Sequence, residues 1–329
     1  MPQHFRQNIR LQIAVIVLGL LLITAKLIAW WLTNSNAILT DALEGIINIL
    51  AGIFALYSLV LAAKPRDENH PYGHGKVEFI SAGFEGGLIF LAGLLIIGKG
   101  IYNLIYPQPL SKLDIGILLT AGTGLINFLL GFILERQGKR SRSLVLIADG
   151  KHLKSDAYSS VGLIVGLLLI YFTNIAWIDN LTAIVFSGMI LYTGFQLIRT
   201  SVAGIMDETD YKLIAELVHF LAQNRQHNWI DVHNFRVIKY GATLHIDCHL
   251  TLPWYFSTLD AHQEVKAFEN LLATNVHSPT ELFVHIDPCE PPANCVICKK
   301  IDCDQRQALF QMDIQWTLEN IMKNQKHHI

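Results

Sequence analysis

The sequence predicts an all-α membrane bundle followed by a small soluble α+β domain, and three observations predict it. Of 329 residues, 52% are hydrophobic and only 16% are charged, which is too apolar for an ordinary soluble chain. The apolar residues lie mostly before Asp207, in six runs at 11–32, 38–63, 79–106, 115–134, 144–173 and 177–198. Each approaches the roughly 20 residues that a helix needs to cross a hydrocarbon core about 30 Å thick. After Asp207 the sequence turns to mixed polar composition with short helical and alternating stretches.

The first run is long and ends in Ala29, Trp30 and Trp31, not in the small residues of a cleavage site, so it reads as a retained helix with interfacial aromatic anchors. Arg6, Arg10, Lys64, Arg66, Lys76, Arg136, Lys139, Arg140 and Arg142 flank the ends that six alternating spans bring to one side, against Lys112 on the other. Positive residues stay inside, so both termini and the soluble third are expected in the cytoplasm. In that third, 211–223 has helical spacing, and 232–240 and 243–252 alternate across a turn at Gly241. A helix at 259–273 and a strand at 281–286 follow, which predicts helices covering one face of a sheet. Beyond Pro288 come a cysteine-rich stretch and a polar tail, expected to be helical from about Gln305 and mobile. The expected domains are thus 1–207, 208–288 and 289–329. No GxGxxG, phosphate-binding Walker loop or nucleophile arrangement is present, so neither an enzyme, an organic cofactor nor ATP-driven chemistry is expected. The net charge of −2 gives no reason to expect a nucleic-acid partner.

An ionisable group inside a bilayer costs several kcal/mol unless it is paired or used, so each one within the runs is a functional candidate. Glu44 and Asn48 in the second run are four residues apart and share a helix face; His152 and Asp156 in the fifth have the same spacing. Four O and N donors from two facing helices can form a roughly tetrahedral site for a small divalent metal. Binding to imidazole and carboxylate displaces protons, which suits exchange. The competing interpretation is a set of interhelical hydrogen bonds. Asp41 and Asp149, one turn earlier in each run, rank second as vestibule or packing acids. Glu85 and Lys26 have no partner at helical spacing and are expected in an ion pair or facing water.

The run TDALEGIINI, the loop DENHPYGHGKVE, the segment ADGKHLKSDAYSS and the ending VHIDPC together resemble the cation diffusion facilitators, from the first helix to about Cys289. The resemblance implies a homodimer of six-helix protomers in a lipid bilayer, a ferredoxin-like cytoplasmic domain, and proton-coupled export of a divalent metal. By position it places the transport site on Glu44, Asn48, His152 and Asp156, a peripheral loop site on Asp67, His70 and His74, and a charge interlock on Lys76 and Asp207. It places a cytoplasmic metal cluster on His233, His249, His262, His285 and Asp287. Zinc-type members usually carry Asp or His where Glu44 stands and Asp where Asn48 stands. An amide oxygen is a harder ligand and tilts the site toward Mn²⁺ or Fe²⁺, while the His152 and Asp156 pair is of zinc type, so Zn²⁺ leads. The implied location is a bacterial inner membrane.

Imidazoles and a carboxylate separated by Pro71 and Gly73 can converge on an ion without a helix, although the same loop can be a solvated turn. His227, His245 and His277 match no role and are assigned to surface or packing. Cys289, Cys295, Cys298 and Cys303 can close a tetrahedral Zn²⁺ site, hold an iron–sulfur cluster, or remain reduced thiols, because a reducing compartment disfavours disulfides. Cys248 is expected in the core. The function expected is a proton-coupled antiporter of divalent transition metals; the alternative is a membrane-anchored metal sensor that moves no ions.

Overall fold

The computed structural model describes residues 3–33, 36–106, 114–173, 177–241, 243–276 and 279–327. Contacts divide the chain into two compact units, Met1–Met206 and Asp207–Ile329.

The first unit is built from long helices: α1 (Gln3–Thr33), α2 (Asn36–Ala62), α3 (Val77–Ile105), α4 (Asp114–Ser141), α5 (Leu144–Thr173) and α6 (Trp177–Ile205). Among the described residues, Arg6–Ala25 and Val77–Ile105 are long and apolar enough to cross a membrane. The closest helix pairs are α3 with α6 and α4 with α5, and glycine makes both possible. A Cβ on Gly194 would lie 2.6 Å from the Phe90 nitrogen of α3, and one on Gly150 would lie 2.7 Å from the Glu135 nitrogen of α4. Backbones therefore meet directly, which is how helices associate where no hydrophobic driving force separates them from their surroundings. Ala82, Ile89, Ile190 and Leu197 fill one seam, and Val15, Leu59, Leu134 and Leu146 another. Large apolar side chains such as Leu21, Leu95, Phe132 and Tyr192 stand exposed on the outside.

The second unit runs α7 (Tyr211–Gln223), β1 (Asp231–Tyr240), β2 (Thr243–Leu252), α8 (Thr258–Asn275) and β3 (Thr280–Pro288), then a 3₁₀ turn at Ala293–Val296 and a short α9 (Leu318–Ile321). The sheet is mixed: β1 and β2 are antiparallel, and β2 and β3 are parallel across the α8 connection. Gly241, at φ 60, takes the left-handed turn that joins β1 to β2. Asp210 caps α7 by accepting from the Leu213 N–H, and Ser257 with Asp260 forms a capping box on α8. The core gathers Trp229, Phe235 and Phe268 with Leu217, Leu221 and Leu250.

The tail departs from expectation. It is not a helix from Gln305 and not a free extension: among its described residues from Gln305 on, only Leu318–Ile321 is helical, and Trp316 and Ile321 are buried in the core of this unit. The reason lies in the spacing: Ala308, Phe310, Met312, Ile314, Trp316 and Leu318 are apolar at every second position, the period of an extended chain. The Arg225 guanidinium covers the Trp316 ring at 4.4 Å and donates to the Ile314 carbonyl at 3.0 Å. The Asn234 N–H donates to the Lys323 carbonyl at 2.8 Å.

Candidate metal centres

Helices α2 and α5 bring the first set of donors together. His152 Nε2 stands 2.9 Å from Asn48 Oδ1, and Asn48 Nδ2 donates to Asp156 Oδ2 at 2.5 Å. One amide thus bridges the imidazole and the carboxylate that four-residue spacing set on a single face of α5. His152 is buried, and its Nδ1 has no hydrogen-bond partner among the described residues. The side chain of Glu44 lies outside the described residues, as do those of Asp41 and Lys26. A cleft lined by Gly45, Asn48, Thr123, Asn127, Asp149 and Leu153 reaches this group from within the bundle. Asp149 is buried and accepts from Gln12 Nε2 at 2.6 Å, which ties α5 to α1. Glu85 neither faces water nor forms an ion pair among the described residues. It is 0% exposed and neither carboxyl oxygen has a hydrogen-bond partner there, because packing against a neighbouring helix, invisible in α3's own spacing, buries that face.

In the loop between α2 and α3, Asp67 Oδ1 lies 3.0 Å from His70 Nδ1, and Asp67 Oδ2 lies 3.3 Å from His74 Nε2. One ligand atom from each of the three falls within 4.8 Å of the others. Gly73, at φ 89, reverses the chain so that both rings return to the carboxylate. Desolvation works against ionisation of Asp67, but hydrogen bonds from His70 and the charges of both histidines hold it below the ordinary value.

The soluble unit holds a third group, set by strand register. His233 pairs with His249 and His249 with His285, so the three lie in a row across β1, β2 and β3. Asp287 closes the set: its Oδ2 is 3.3 Å from His233 Nε2 and 3.1 Å from His249 Nδ1, and its Oδ1 is 3.3 Å from His285 Nδ1. His233, His249 and Asp287 present ligand atoms within 4.8 Å of one another. His262 is exposed on α8 and is not part of that triplet. Behind His233, Asp231 Oδ2 stands 3.3 Å from the ring Nδ1, and His327 from the tail bonds the same carboxylate. Burial would raise Asp231, yet the imidazole of His233 beside it and the hydrogen bonds from His327 hold it well below the usual carboxylate range. A carboxylate behind a ligand imidazole fixes its tautomer and orientation. The donor chemistry therefore fits a divalent ion held by His233, His249 and Asp287, with His285 at its edge.

Lys76 belongs to the first unit and Asp207 opens the second. The four tail cysteines are free thiols lining one cleft of the second unit. Cys248 is buried in the core, and burial pushes its thiol up to about 12. His245, assigned to packing, is buried and lies 2.9 Å from Glu281; His227 is exposed, and His277 lies outside the described residues. Sequence reasoning missed Asp231, although its two-residue spacing from His233 on one strand was a usable signal. His327 gave none, because its partner is 96 residues away. Gln12, in an otherwise apolar run, was a polar exception passed over.

Comparison with known proteins places these groups in context. The family profile described as the cation efflux transmembrane domain matches residues 12–206, and that of the cation efflux protein cytoplasmic domain matches 210–289. An uncharacterized transporter of Synechocystis sp. is 34% identical over 283 residues, covering 85% of this chain and 90% of its own. The manganese efflux system protein MneS of Bacillus subtilis is 27% identical, covering 82% and 92%. The cation-efflux pump FieF of Shewanella oneidensis is 25% identical, covering 84% and 93%.

Proposed function

This chain belongs to the cation efflux family, and from that premise we propose that it exports a divalent transition-metal cation from the cytoplasm in exchange for protons. The observation that carries the reading is Asn48 bridging His152 and Asp156 between α2 and α5. A buried imidazole, a carboxylate and an amide oxygen make a compact donor set for one small cation, which Glu44 on the same helix as Asn48 would complete. Asn48 Oδ1 is placed to accept from the ring N–H at Nε2 of His152. A cation that binds Nε2 of the imidazolium form of His152 releases that proton and leaves a neutral ring with its hydrogen on Nδ1, and a proton returns to Nε2 when the cation leaves. Loading and release are thereby tied to proton movement in opposite senses. Asp149 lines the same cleft, which suits the vestibule role expected of it.

The imidazole and carboxylate pair favours Zn²⁺ as the cargo in this proposal, and the amide oxygen also admits Mn²⁺ and Fe²⁺. The bundle would cross a bacterial inner membrane six times with both termini cytoplasmic, and the chain would act as a homodimer. The test is uptake of Zn²⁺, Mn²⁺ and Fe²⁺ into proteoliposomes under an imposed pH gradient. Wild-type flux should need the gradient and fall at least about tenfold, the loss of about 1.4 kcal/mol or more of binding, in His152→Ala and in Asp156→Ala. Undiminished flux in both variants would remove the site assignment. Absence of any flux in the wild type would favour the sensor, for which the cytoplasmic triplet supplies a metal-binding element.

A further inference from the structure

Cys289, Cys295, Cys298 and Cys303 come from the end of β3, the 3₁₀ turn and the irregular segment after it, yet all four line one narrow cleft with Tyr255 and Arg306. The segment is irregular, but it is not loose: Cys295 and Cys298 are 7% and 6% exposed. Every sulfur has a donor aimed at it. The backbone N–H of Trp254 points to Cys289, that of Lys300 to Cys298, and that of Gln307 to Cys295 at 3.5 Å. The Tyr255 hydroxyl donates to Cys303 Sγ at 3.4 Å. Donors aimed at sulfur hold each side chain in place, as the outer hydrogen bonds around a metal ligand do. Arg306 fastens the loop by donating to the carbonyls of Cys295 at 2.8 Å, Cys298 at 2.9 Å and Lys300 at 2.7 Å. It also sets a cation beside a group that four thiolates and one divalent ion would leave with net negative charge.

We propose that these four cysteines form a closed tetrathiolate centre for one thiophilic divalent cation of the Zn²⁺ type, structural in role and separate from the cargo path. The CxxC at 295–298 supplies two adjacent ligands, and the flanking cysteines supply the other two, the arrangement of closed structural zinc sites. All four coordination positions are filled by protein, so the ion has no open position through which to leave as cargo. Its effect is to staple the 289–327 segment to the sheet. Cys289 lies two residues beyond Asp287, and Ile230 on the cleft wall precedes Asp231, so the staple also anchors two strand ends that carry the histidine triplet.

The test uses the full chain purified in detergent under reducing, anaerobic conditions and passed through a chelator to strip weak sites. Mercurial titration of its thiols, with a chromogenic chelator present, should release about one Zn²⁺ per chain in step with thiol modification. Cobalt loading should give the thiolate-to-cobalt charge-transfer absorption of a tetrahedral sulfur site. The paired substitution Cys295→Ser with Cys298→Ser should abolish both signals, whereas Asp156→Ala should keep both, so failure of the transport reading leaves this result intact. Thiols that titrate with no metal released, disulfides found by mass spectrometry, or iron with acid-labile sulfide would each overturn the proposal. The titration needs no variant, so a misfolded double mutant does not weaken it.

Discussion

Single residues decide how firmly each site is held. Asp231 shows this at the cytoplasmic triplet, where one carboxylate orients His233 and simultaneously receives His327 from the tail. Asp210 shows it at the entry of the soluble unit. Desolvation would raise its pKa, but Lys239 and the Leu213 and Lys212 amides lower it below the ordinary carboxylate value. A folded-state pKa below the unfolded one means that the stabilisation is fully present above the unfolded value of 3.8 and is lost as pH falls through the lowered folded value. Asp210→Ala should destabilise α7 by about 1 kcal/mol at neutral pH. Hydrogen–deuterium exchange of the α7 amides in the full chain checks this, and the difference from the wild type should vanish in strong acid. An unchanged exchange rate at neutral pH would mean the cap contributes nothing.

At the scale of elements, glycine placement on α3 and α6 and on α4 and α5 sets how near the helices that carry the polar groups can come. Gly194→Ala would push α6 away from the Phe90 backbone and should cost about 1–3 kcal/mol in overpacking, read as a lowered detergent melting temperature. Gly98→Ala is the matched control, because its Cβ would meet nothing within 4 Å. It should be neutral or slightly stabilising, by up to about 1 kcal/mol of helix propensity. Equal behaviour of the two would refute close packing as the reason for Gly194. In the sheet, register plays the corresponding part. A one-residue slip of β2 would send His249 to the opposite face and dissolve the triplet.

For the whole molecule, the His233, His249 and Asp287 group predicts metal binding distinct from transport. Calorimetric titration of the full chain bearing Asp156→Ala with Zn²⁺ should retain a heat, one component of which is lost on adding His249→Ala. Analytical ultracentrifugation should show Zn²⁺ shifting the wild type toward dimer, because ligand binding that favours one association state must be reciprocated by that state. A heat insensitive to His249 would assign the binding elsewhere.

The sequence by itself determined the class of each unit, the order of helices and strands, and which donors share a helix face. These follow from local periodicity: 3.6 residues for a helix, two for a strand, and 20 or so apolar residues for a span. Thus His152 and Asp156, or Asp231 and His233, are readable as same-face pairs from spacing alone. Only the tertiary structure decided that Asn48 meets both members of the first pair, that His233, His249 and His285 align in one row, and that the tail folds back to set His327 on Asp231. It also decided that the expected tail helix does not form and that Glu85 is sealed from water. Such meetings join residues far apart in the chain. They depend on helix packing and strand register, which arise from the sum of many distant contacts and leave no periodic trace at the positions that meet.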